Sequence, residues 1–156
     1  MSTQRPVLPD GLVVIVKEEC ETCRMTAPVV ARLAAEHGAT VYVQDDPSFP
    51  DGVEAVHDAD LAVSWHHEIE TVPTLIRVVD GDETDRTVGW SVDEWRRVTG
   101  VADLGEDLPP FRPGCGSKSV DPDLVDELRA RHSGGRLRSR RIEVADLEDE
   151  IEALYD

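Results

Sequence analysis

"KEECETCRMTAPVV", residues 17–30, sets two cysteines three positions apart where an apolar run gives way to a helical pattern. Upstream, "GLVVIV" (11–16) is short, unbroken and mostly β-branched, as in a parallel strand covered on both faces. Downstream, Met25, Val29, Val30, Leu33 and Ala34 recur at helical spacing as far as Gly38, which can close the helix. Pro28 falls inside that helix and predicts a kink. "TVYVQ" (40–44) reads as the next strand, parallel to the first because a helix crosses between them. The CxxC spacing alone allows half of a metal site, a structural staple or a dithiol that exchanges electrons.

The local order discriminates among these. A strand followed at once by a helix puts Cys20 at the helix N-terminus, where free backbone N–H groups and the helix dipole stabilise a thiolate and lower its pKa from about 8.5. Cys23 lies one turn later, within reach of a mixed disulfide on Cys20. The expected roles are Cys20 as nucleophile and Cys23 as resolving thiol.

Further along, "IETVPTLIRVVDGDETDRTVGW" (69–90) holds a Val-Pro-Thr segment, an apolar strand, a tight turn, a second strand and Gly89. "SVDEWRRVTG" (91–100) reads as a final helix, with Ser91 and Glu94 in a capping-box arrangement. "CETCRMTAP" together with this second half resembles the thioredoxin family across about residues 11–100. The resemblance implies an α/β thioredoxin-like fold: a central mixed four-stranded sheet, built β-α-β then β-β-α and flanked by helices. It also implies that Pro73 is cis and packs against the dithiol, and that Val72, Pro73 and Thr74 shape the strand on which a substrate pairs. The implied activity is thiol–disulfide exchange with protein or small-molecule disulfides. Electrons would return from a reductase or a low-molecular-weight thiol, and the Cys20–Cys23 disulfide would stand in place of any bound cofactor.

The chain departs from the family pattern at several points. The ten residues before the first strand cannot supply the strand and helix that usually come first, so the core is nearer glutaredoxin size. Val14 stands where many thioredoxins keep a buried aspartate, Glu19 replaces a tryptophan, and Glu-Thr replaces Gly-Pro between the cysteines. Glu18, Glu19 and Glu21 surround Cys20 against Lys17 and Arg24, and like charge disfavours a thiolate. The expectation is a weakly depressed Cys20 pKa, a comparatively reducing dithiol and a preference for basic partners. A redox role also requires that Cys20 lie beside Pro73 with its sulfur open to approach.

Residues 45–70 are longer than the usual connection. "VEAVHDADLAVSWHHEI" reads as helical with Val53, Val56, Leu61, Val63 and Ile69 turned inward. Trp65 is expected to pack, and His66 and His67 to cap or coat the helix. The sharper alternative is a zinc site from Cys20, Cys23 and one of these histidines, with Cys115 as a further ligand; no standard linear spacing pairs them.

Beyond residue 100 the texture changes. Residues 101–120 read as a Pro/Gly-rich linker and 121–156 as an extension with two short helices, after a tail (1–10) and the main domain (11–100). Cys115, in "RPGCGS", is either an idle linker thiol or an accessory thiol able to attack the Cys20–Cys23 disulfide. Asp121 and Pro122 begin a helix with Leu124, Val125 and Leu128 on one face. Arg136, Arg138, Arg140 and Arg141 form a basic segment, read as pairing with acidic surface. Val144, Leu147, Ile151 and Leu154 then line an acidic helix that docks on the core, a partner or a second copy.

Composition bounds the function. The formal charge of −17 over 156 residues argues against nucleic acid, whose phosphates require clustered cations. Three cysteines are too few for a disulfide scaffold. The opening residues lack a signal peptide's pattern, and no stretch is long enough to cross a bilayer. These features predict a soluble, cytoplasmic protein. Two other readings stay open beside the oxidoreductase: a redox-inactive module that binds a protein, and a Cys/His metal carrier.

Overall fold

The computed structural model describes residues 6–132, so the arginine segment and the last helix expected from the sequence lie outside the described residues. The elements run β1 (Gly11–Val16), α1 (Glu21–His37), β2 (Thr40–Val43), β3 (Val56–His57), α2 (Ala62–His66), β4 (Thr71–Val72) and β5 (Thr74–Val79). They continue with β6 (Asp82–Val88), β7 (Trp90–Ser91), α3 (Val92–Thr99), β8 (Phe111–Arg112), β9 (Cys115–Gly116), a 3-10 turn (Lys118–Val120) and α4 (Pro122–Arg131).

The architecture is mixed α/β around a mixed sheet ordered β3-β2-β1-β5-β6. β1 and β2 are parallel, whereas β5 is antiparallel to both β1 and β6. The sequence leads to the four strands β1, β2, β5 and β6; β3 is a fifth, added on the β2 edge. Val13 and Val14, neighbours that point to opposite faces, are both fully buried, so β1 is covered on both sides. α1 packs over β1 and β2, and α3 over β5 and β6.

Local chemistry fixes the helix ends. Gly38 closes α1 in the left-handed region, and its neighbour Ala39 donates its N–H to the Leu33 carbonyl. Ser91 caps α3 by accepting from the Glu94 N–H at 3.3 Å. The reciprocal half of the capping box is not made, because the Glu94 carboxylate pairs with Arg97 at 2.6 Å. Asp121 caps α4, with Pro122 at its first turn. Trp90 and Trp95 pack with ring centroids 5.1 Å apart beneath α3, and the Trp95 indole donates to the Gly89 carbonyl.

The long helix expected within residues 53–69 is not formed. Val56 and His57 instead extend the sheet, because β2 has an unpaired edge whose backbone groups they satisfy. Val56 is consequently 49% exposed rather than inward, while Leu61 and Ile69 are buried as expected. Helix is confined to α2, started by the Asp58 carboxylate, which accepts from the Val63 and Ser64 N–H groups at 3.0 and 2.9 Å. Trp65 is buried with Leu61 and Leu128 of α4.

Residues 101–120 adhere to the core along much of their length. Val101 and Leu104 are buried, the Trp90 indole donates to the Pro109 carbonyl, and β8 pairs with β7. β9 pairs antiparallel with β4. This segment is therefore a strap across the end of the domain that carries the cysteines.

Candidate functional site: a three-thiol cluster at the N-terminus of α1

Cys20 is the N-cap of α1, with extended backbone (φ −91°, ψ 121°). Extended geometry at a cap turns the side chain back over the first helical turn, where the Cys23 N–H donates to Cys20 Sγ at 3.3 Å. The Lys17 N–H donates to Cys23 Sγ at 3.4 Å, which fixes the second sulfur at the end of β1. The Val72–Pro73 peptide is cis, as the Val-Pro-Thr motif suggested, and the Cys20 thiol reaches the Val72 carbonyl at 3.6 Å. The Pro73 carbonyl accepts from the Gly89 N–H at 2.8 Å, and Thr74 opens β5 with its hydroxyl bonded to the Thr71 carbonyl. Five sequence-selected residues, Cys20, Cys23, Val72, Pro73 and Thr74, thus converge on one place.

Cys115 converges there too. It faces Val72 in the β4–β9 register, and the carbonyl of Val72 lies 3.6 Å from the Cys20 sulfur. Cys20 and Cys23 are fully buried, whereas Cys115 keeps partial exposure. The open approach to Cys20 expected from the sequence is therefore absent, because the strap lies over it.

The ionisation of Cys20 also differs from expectation. Its pKa is lowered to about 5, chiefly by the hydrogen bond from the Cys23 thiol, against the opposing effect of burial. The Cys115 thiol and the backbone N–H groups of Cys23 and Thr22 add to the lowering. The acidic rim is compensated: Glu21 pairs with Arg112 at 2.7 Å and Glu19 with Lys118 at 3.7 Å, both cations coming from the strap. The weak depression inferred from Glu18, Glu19 and Glu21 is corrected accordingly. Burial pushes the Cys23 thiol up, and burial followed by the hydrogen bond to Cys20 does the same to Cys115. One sulfur in the cluster is poised as thiolate, and the other two hold protons.

The strap is fastened by groups for which the sequence suggested no such role. The Lys17 ammonium donates to the Gly116 carbonyl at 2.7 Å, and the Thr22 hydroxyl donates to the Pro113 carbonyl at 2.7 Å. Gln44 donates to Ser117 Oγ at 2.7 Å and accepts from the Lys118 N–H at 2.9 Å. A Cβ on Gly114 would lie 2.4 Å from the Val72 carbonyl oxygen, so only glycine permits this approach. The one hint in the sequence was the pair of glycines flanking Cys115.

His66 and His67 stand apart from the thiols in their contacts. His66 is buried edge-on to His132, with ring centroids 5.1 Å apart, and His67 Nε2 lies 2.6 Å from the Pro6 carbonyl oxygen. Among the described residues no group of three or more His, Cys, Asp or Glu side chains is arranged to hold a metal ion. No described helix is long and apolar enough to cross a membrane. Compared with protein-family models and with curated proteins, the chain matches none.

Proposed function

We propose that the protein is a thioredoxin-like thiol–disulfide oxidoreductase whose working couple is Cys20–Cys23. The observation that carries this reading is the placement of the Cys20 sulfur. It sits at a helix N-cap, accepts the Cys23 N–H at 3.3 Å and lies 3.6 Å from the Val72 carbonyl beside the cis Val72–Pro73 peptide. The thiolate is the attacking species in disulfide exchange, and a pKa near 5 keeps Cys20 ionised at neutral pH. Because Cys20 is covered, a disulfide must reach it by displacement of the strap or through another thiol. The exchange then joins one sulfur to Cys20 and releases the other as thiolate. Cys23 then displaces the bound half and closes the intramolecular disulfide. The substrate is a small-molecule or protein disulfide, the electron donor a reductase or a low-molecular-weight thiol, and the reducing compartment the cytoplasm.

Exchange with oxidised glutathione tests this directly. The wild type should form a Cys20–Cys23 disulfide, seen by mass spectrometry of the alkylated protein, and Cys20→Ser should form none. If both leave their thiols alkylatable alike, the reading fails. The burial of Cys20 and the pairing of Val72 with Cys115 favour a second reading, a redox-inactive module of the same fold that binds a partner; that outcome of the assay would support it.

A further inference from the structure

We infer that Cys115 is a third redox thiol, presented to Cys20 by a strand of the same chain that occupies the edge where a substrate strand would pair. The inference rests on the oxidoreductase reading above. Three independent features converge on it. β9 adds to β4 in antiparallel register with Cys115 opposite Val72, the residue before the cis proline. The Cys20 sulfur lies 3.6 Å from the carbonyl of that same Val72, so Cys20 and Cys115 share it as a neighbour. Gly114 lies where any Cβ would meet the Val72 carbonyl at 2.4 Å, so the strap is fitted to this edge.

The exposure pattern gives the thiol its task. Cys20 and Cys23 are sealed and Cys115 is partly open, so equivalents pass between solvent and the buried pair through Cys115. Cys115 opens a small disulfide RSSR, forming Cys115–S–S–R and releasing RSH, whose proton comes from the Cys115 thiol. The Cys20 thiolate attacks the Cys115 sulfur, forming Cys20–Cys115 and expelling RS⁻. Cys23 attacks the Cys20 sulfur, forming Cys20–Cys23 and returning its proton to Cys115. In sum RSSR gains two electrons, the Cys20–Cys23 pair loses two, and Cys115 is regenerated.

The full chain carrying Cys23→Ser, treated with oxidised glutathione and quenched with an alkylating agent, traps the middle step. The expected product is a monomer with a Cys20–Cys115 crosslink, exceeding intermolecular dimers by about tenfold or more, as the effective concentration of a tethered thiol requires. Cys115→Ser gives an independent readout: its Cys20–Cys23 disulfide should form about tenfold more slowly than the wild type's for the same reason. An uncrosslinked Cys23→Ser monomer, or a Cys115→Ser rate equal to or above that of the wild type, overturns the inference while wild-type oxidation upholds the oxidoreductase reading. A wild type that forms no disulfide at all overturns both.

Discussion

At the scale of single residues, the site depends on which protons the three thiols keep. The Cys20 pKa is lowered to about 5, so the ultraviolet absorbance of its thiolate, taken as wild type minus Cys20→Ser, should rise through pH 5 and level off above about pH 6, against a free thiol's midpoint of about 8.5. A midpoint above 8 would show that the hydrogen bond from Cys23 does not hold the thiolate. The same shift couples to stability. A pKa depressed on folding stabilises the reduced protein fully above the unfolded value of about 8.5, and the contribution is lost as pH falls through 5. Reduced wild type should therefore lose urea stability relative to Cys20→Ser between about pH 8.5 and 5. Stabilising the thiolate also favours the reduced state, so the proposed Cys20–Cys23 couple should be less reducing than the acidic rim alone suggests. The cysteines, Val72, Pro73 and Thr74 were legible because their spacing along a strand and helix start is local. The compensation of Glu19 and Glu21 was not, since Lys118 and Arg112 lie about ninety to a hundred positions away and reach the rim only through the strap.

At the scale of elements, the boundary between connection and structure moved. Residues 101–120 are rich in proline and glycine, which breaks periodicity without preventing burial, and Leu104 is fully buried. Leu104→Ala should cost about 2–5 kcal/mol in urea unfolding, the range for truncating a core leucine. A cost below about 0.5 kcal/mol, typical of exposed positions, would return the segment to the status of a free connection. α1, α3, α4 and the β5–β6 hairpin were readable because caps, helical stripes and a tight turn all act within a few residues. β3 and β9 were not, since each is two residues long and exists only because a distant edge, β2 or β4, needs partners. Val56 shows the consequence: an apolar residue read as inward on a helix lies exposed on a strand.

At the scale of the molecule, a net charge of −17 on a chain with 33 acidic and 16 basic residues implies self-repulsion in the compact state. Raising salt from about 0.01 M to 1 M shortens the Debye length from about 30 Å to about 3 Å, and the thermal midpoint should rise with it. A midpoint that falls instead would mean that attractive pairs such as Arg112–Glu21 outweigh the repulsion. The fold brings residues 20, 23, 72 and 115 together from strand-helix junction, proline loop and strap, so the cluster is larger than the CxxC motif. The most direct measurement is an equilibrium titration of the wild type in glutathione redox buffers, with the state of each thiol read by mass spectrometry. The expected result is a two-electron transition ending in a Cys20–Cys23 disulfide with Cys115 reduced. Three alkylatable thiols across the whole range, or glutathione held stably on Cys20, would contradict it.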